Sequence, residues 1–321
     1  MRTLAHPRAL ARRPVRALLA QWPLAVVGDV EGIHQARVAS RRIRELVPAV
    51  ARPADAREAR ALRRGLREVT RLVGRSRELD VAQETLRAIE ARTPDHAAAV
   101  AAVRDHVVRE RAAADREVRA RVARVDVNSL AAGTVGLAAR SESPAAVRAC
   151  ARRAAARLGR RATELERAVV DAGLLFAPGP LHGVRIALKK FRYALEVAER
   201  LGRFRLTGSM QRLKGMQNLL GDLHDLQVLG GLVRDVMAQS PAPRRRGIES
   251  LVTAIDDEIR ALHSQFLTER EVLVPLLARS TGVRRTLLAL PPPGSLALPS
   301  RSAPAAAARR TQNPSRTMED R

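Results

Sequence analysis

His34, Arg37, Arg41 and Arg44 follow one another at three- and four-residue intervals within "GIHQARVASRRIREL" (32–46), with Arg42 alongside. On a helix advancing about 100° per residue, the four share an arc of roughly 80°. Ala36, Ala39, Ile43, Leu46 and Val47 fall on the opposite side. Helices commonly place Glu three or four residues from Arg to gain pairing, whereas like charges at that spacing cost a few tenths of a kcal/mol, roughly, per pair. The nearest acid in the stretch is Glu45. Arginine's planar, permanently charged fork donates hydrogen bonds in pairs and suits phosphate oxygens. A histidine heading such a stripe adds charge when a bound phosphate raises its pKa. A single stripe of this kind is also what a solvated helix face looks like.

The pattern returns. "PLHGVRIALKKFRYAL" (180–195) sets His182 opposite His34, Arg185 opposite Arg37, Lys189 and Lys190 opposite Arg41 and Arg42, and Arg192 opposite Arg44. Its apolar side is Val184, Ala187, Phe191, Ala194 and Leu195. A second pair follows, "LREVTRLVGRSRELDV" (66–81) against "LKGMQNLLGDLHDLQV" (213–228), with Gly74 opposite Gly221. The two offsets differ by one residue, which reads as a duplicated unit of about 150 residues. In the earlier of these helices Arg60, Arg64, Arg67, Arg71 and Arg75 make a third basic stripe opposite Leu62, Leu66, Val69 and Val73. The later one is milder, with Gln211, Lys214, Asn218 and Asp222 at the matching places. Three stripes at duplicated positions favour a binding surface over a solvated face.

The whole chain has the same bias. Its 321 residues carry 58 Lys and Arg against 33 Asp and Glu, a formal +25. Self-repulsion on this scale destabilises a compact state unless an anionic partner offsets it: nucleic acid, an anionic membrane surface or a phosphate polymer. An Arg- and Ala-rich composition without functional meaning is the plainer alternative. Four Phe, one Tyr and one Trp leave almost nothing on which bases could stack. No apolar run reaches the ~20 residues that cross a bilayer, and a cytoplasmic location is expected. The single cysteine, Cys150, rules out an internal disulfide framework and reads as a small buried residue. His6, His96, His106 and His263 show no ligand spacing and are expected on the surface.

Ala, Leu and Val fill the chain while β-branched alternation is scarce, so the expected class is all-α. Helices are predicted near 30–50, 55–90, 95–125 and 144–171, separated by "ARPADA", "RTPDH" and "SESP". Further helices are predicted near 180–202, 206–239 and 243–288, the last broken in two. The division reads as a helical lead-in over 1–25, a first helical half over 26–175 and a second over 176–290. A Pro/Ala/Arg-rich tail over 291–321 is expected to be disordered. "RRR" at 244–246, beside two prolines, reads as a loop charge cluster.

The two copies of the stripe, each followed by a helix ending "LVGRSRELDV" or "LLGDLHDLQV", resemble the CHAD family (conserved histidine α-helical domain) across about residues 10–285. The resemblance implies two pseudo-symmetric four-helix bundles whose basic faces meet at a central cleft. It also implies binding of inorganic polyphosphate without turnover, no cofactor, no metal, and a role in granule targeting or regulation. Carried over by motif, the contacts are His34, Arg37, Arg41, Arg42 and Arg44 in the first half. In the second they are His182, Arg185, Lys189, Lys190, Arg192 and Tyr193, with Arg64, Arg67, Arg71, Lys214 and His224 from the following helices. Glu78 stands where the family more often has aspartate, and Arg77 with Asp80 looks like a structural pair. The Glu-x-Glu-x-Lys signature of a triphosphate-tunnel domain is absent from the sequence, as in a stand-alone member. The pattern leaves the oligomeric state open.

Two other readings compete. Non-specific nucleic-acid binding at low salt follows from the net charge alone. A metal-dependent phosphohydrolase would use His34, His182 and His224 with Asp222 and Asp225, but the flanking arginines repel a cation.

Overall fold

The computed structural model describes residues 3–93 and 96–293, and the tail from residue 294 lies outside them. Within the described residues the chain is helical throughout: α1 (Pro7–Val26), α2 (Val30–Val50), α3 (Ala56–Leu72), α4 (Gly74–Arg92), α5 (Ala97–Arg121), α6 (Val127–Ala139), α7 (Pro144–Ala172), α8 (Pro178–Gly202), α9 (Thr207–Ala238), α10 (Ala242–Glu269) and α11 (Leu273–Ala289).

Local sequence sets most boundaries. The Asp29 carboxylate accepts from the Gly32 N–H at 2.6 Å and starts α2. Ser143 caps α7 ahead of Pro144. The α1–α2 turn passes through Gly28 at φ +92°, a backbone that favours glycine. The lead-in is anchored as well as helical, because Leu4 N–H donates to Pro291 O at 2.8 Å and Ala5 N–H to Leu201 O at 2.7 Å. "RRR" at 244–246 lies in the first turn of α10 rather than in a loop. Pro241 and Pro243 fit there because the first N–H groups of a helix need no intrahelical acceptor.

Two differences from the sequence reading bear on function. The helix expected over 55–90 breaks at Val73, so that α3 and α4 are separate. Helix α6, "VNSLAAGTVGLAA", lies between the helices expected over 95–125 and 144–171 and lacks a charged face to reveal its period. It packs against α3 at close range, where a Cβ on Gly65 would stand 2.5 Å from the Leu130 side chain.

Two hydrophobic cores form, and each draws on both sides of residue 176. The smaller joins α4 and α5 to the second half of α9 and most of α10, through Leu79, Val103, Leu229 and Ile255. The larger joins α1, α2, α3, α6, α7, α8, the first half of α9 and α11 around Ile43, Leu66, Leu158 and Phe191. The division of the sequence at 176 therefore does not divide the packing. Helix α9 runs straight from one core into the other, whereas α3 and α4 make the same passage across a break.

Candidate functional site

The apolar sides of both stripe-bearing helices are buried as their periodicity requires. That leaves the basic side of α2 facing the basic side of α8. Arg41 raises the positive potential at both Arg185 and Lys189, and Arg37 does so at Lys189. Lys189 is pushed down to about 6, first by burial and then by Arg185 and Arg41, with Asp225 opposing and Arg37 adding. Arg37 falls to about 10 through burial and Arg41, with Glu78 opposing. The Arg185 side chain is 15% exposed, and its Nη2 lies 3.7 Å from Asp225 Oδ1. Its Nε is buried without an acceptor among the described residues.

Two imidazoles lie beside these cations, both under the influence of Arg185 and Lys189. His182 Nδ1 lies 3.4 Å from His224 Nδ1. Burial, Arg185 and Lys189 hold His182 below its ordinary value, and burial, Arg185 and His182 take His224 to about 4. His34 is lowered by burial and by Arg77. Arg77 is the residue that motif reading missed as a site member. Its signal was present, since aligning Gly74 with Gly221 sets Arg77 opposite His224. Asp80 is not its partner: Asp80 accepts from Arg111 Nε at 2.6 Å, and Arg111 also binds Asp115 and donates to Gly28 O at 3.0 Å. Arg37, Arg41, Arg185 and Lys189 thus act on one another with Glu78 and Asp225 opposing, and Arg77, which acts on Arg37 and Asp225, also lies 4.0 Å from Glu84.

The remaining predicted contacts go elsewhere. Arg42 Nε donates to Glu196 at 3.1 Å. Arg192 Nε donates to Gln217 at 2.7 Å, and its Nη1 also reaches Glu196. With Arg13, Arg200 and Lys214, these arginines line a groove of about 590 Å³ between α1, α2, α8 and α9. Lys190 is half-buried. Tyr193 is buried and lines a small pocket with Leu10 and Leu46 on the α1 side. Arg44 and Arg67 are neighbours. Arg64 and Arg71 are exposed, and Arg71 pairs with Glu68. Arg75 reaches Glu110 at 3.2 Å. Glu45 is committed to α7, buried against Arg157 Nε at 2.7 Å and Arg161 Nη2 at 2.9 Å, and within the stripe it offsets part of the lowering of Arg44.

His263 is buried rather than on the surface, edge-on to Phe176 with ring centroids 5.3 Å apart. Its neighbours in "ALHSQF" are apolar enough to have placed it inside. Cys150 is fully buried and pushed up to about 12 by burial, which leaves it an unreactive thiol.

The cleft can hold anions through fixed charge and directed N–H groups. Among the described residues no three His, Cys, Asp or Glu converge as a metal-ligand set, and no helix is long and apolar enough to cross a membrane. A family model described as the CHAD domain matches residues 9–234. The crystal structure of the CHAD domain from the plant Ricinus communis is similar at 24% identity, covering 90% of this chain and 93% of that one, with a TM-score of 0.53. PptA from Streptomyces chartreusis is similar at 19% identity, covering 88% and 100%, also with a TM-score of 0.53. At these identities the likeness is one of fold. No curated protein matches the chain.

Proposed function

The chain belongs to the CHAD domain family, and on that premise we propose that it binds inorganic polyphosphate in the cleft between α2 and α8. The family is linked to polyphosphate binding, and its domain is generally a non-catalytic binding module. One observation carries the reading for this chain: Lys189 lies half-buried among Arg37, Arg41 and Arg185, with Asp225 opposing them. Like charges packed together in low dielectric are unfavourable, so an anion is the missing component. A flexible phosphate chain supplies closely spaced charge without the sugars and bases that a narrow cleft would exclude. His34, Arg37, Arg41, His182, Arg185, Lys189 and His224, with Arg77 added, are the proposed contacts. Granule targeting or regulation of a partner is the proposed role.

Competition binding tests this. Long-chain polyphosphate is expected to displace duplex DNA from the full chain with at least about a tenfold advantage at physiological salt, and its own affinity should fall steeply as salt rises. DNA binding as well as polyphosphate would replace the reading with general polyanion binding. Release of orthophosphate by metal-loaded protein would replace it with hydrolysis.

A further inference from the structure

Beyond the cleft, Arg44 on α2, Arg63 and Arg67 on α3, and Arg157 and Arg161 on α7 form a second cationic group. We propose that this nest is a discrete subsite for one tetrahedral oxyanion, taking inorganic phosphate or the terminal phosphoryl group of a bound chain. The chain-terminus form rests on the polyphosphate reading; the free-phosphate form does not.

The charges within it do not balance. Both oxygens of buried Glu45 are used by Arg157 and Arg161, and Arg161 also holds Glu164. Among the described residues Arg44, Arg63 and Arg67 have no carboxylate within ion-pair distance. Three buried donors, one from each helix, have no acceptor among the described residues: Arg44 Nε, Arg63 Nε and Arg157 Nη2. Buried guanidinium N–H groups without acceptors are rare in folded proteins and point to a bound water or ion. Burial, Arg67 and Arg63 bring Arg44 down to about 10, with Glu45 opposing. Burial, Arg157 and Arg67 also lower Arg63. Water would satisfy the donors and leave this repulsion in place, whereas a phosphate dianion satisfies both.

Glu45 fixes Arg157 and Arg161 in place from one side, so the donors left without acceptors come from three separate helices rather than along one stripe, as suits a single oxyanion. The other half has no such nest, because the sequence sets Tyr193 opposite Glu45 and Met210 opposite Arg63.

The test uses the full chain, wild type against Arg63→Gln and Arg44→Gln, with Lys189→Gln as the cleft variant and circular dichroism to confirm folding. Calorimetry with orthophosphate is expected to find one site, weakened at least about tenfold in Arg63→Gln and Arg44→Gln and retained in Lys189→Gln. Long-chain polyphosphate should show the reverse order, Lys189→Gln losing most. If orthophosphate competes with tripolyphosphate and Arg63→Gln weakens both, the nest takes chain ends; if orthophosphate and long chains bind together, it takes free phosphate. Orthophosphate affinity unchanged in both arginine variants overturns the proposal. Loss of long-chain preference over DNA with orthophosphate binding intact overturns the cleft reading and leaves the nest standing.

Discussion

Helices α2 and α8 carry the same spacing of histidine and basic residues but meet different neighbours, and their two central arginines diverge as a result. Arg37 Nη1 donates to Thr70 O at 2.8 Å, one of the carbonyls left over where α3 ends at Leu72. Arg37 therefore caps a break, and Gly74 lies just past it, where a Cβ would stand 3.2 Å from that same nitrogen. Helix α9 has no break, and a Cβ on Gly221 would meet nothing within 4 Å. Among the described residues Arg185 has no carbonyl to cap, and its Nε stays without an acceptor. One half holds its arginine against the scaffold, and in the other the arginine meets Asp225 at 3.7 Å. The walls differ in kind as well. The α2 side is built on arginine, charged at any physiological pH, while Lys189, His182 and His224 can lose their charge.

The largest expected effect separates the two arginines. Arg185→Glu should weaken polyphosphate binding by about a hundredfold or more, on the order of 3 kcal/mol, with helicity intact by circular dichroism. Arg37→Met should weaken binding less and lower stability by about 1–3 kcal/mol, because Thr70 O loses its donor. Equal affinity losses with equal melting temperatures would erase the distinction between the halves.

Lys189 tests the titratable wall. Its ordinary value is 10.5 and its folded value about 6. Between those values the unfolded chain holds a proton that the folded chain lacks. Stability of the free protein should therefore rise with pH across that window, with the full penalty present below it. Lys189→Met should raise the melting temperature near neutral pH, flatten that slope and weaken polyphosphate binding. Denaturant melts at a series of pH values read all three.

The histidines should give a smaller effect. His182 and His224 are neutral in the free protein at pH 7, and a bound polyanion raises both. Affinity should then rise by up to about tenfold as pH falls from about 7 to 5, with proton uptake on binding. His182→Gln with His224→Gln should flatten the profile; a profile unchanged in that double variant would show that neither imidazole takes up the proton. The smallest effect is expected from Gly74→Ala, a loss of about 1 kcal/mol or less as the guanidinium of Arg37 is displaced, against no change for Gly221→Ala. Melting temperatures check the pair.

Both stripes and their apolar backs were legible because each lies on one helix, where spacing alone fixes the face. The partners were not. Asp80 stands three residues from Arg77 in sequence, yet its guanidinium comes from Arg111 on α5. Glu45 neighbours Arg44, yet α7 neutralises it. The break at Val73 was hidden because α3 and α4 are both good helix formers, and the donor that caps the break sits 33 residues earlier. Of the third stripe, Arg67 turns toward Arg44 while Arg64 and Arg71 stay exposed, because α3 offers α2 the side carrying Arg63, Arg67 and Thr70.

Sequence by itself determined the helical class, the basic faces, the recurrence of the motif and the uncompensated charge, all properties of periodicity and composition. Only the tertiary structure decided that the walls face each other, and that α4 and α5 share a core with α9 and α10. It also decided which arginines are held by carbonyls and carboxylates and which keep buried donors without an acceptor among the described residues. Desolvation and Coulomb forces act between side chains brought together by folding, and no spacing along one helix encodes the charge that arrives from another.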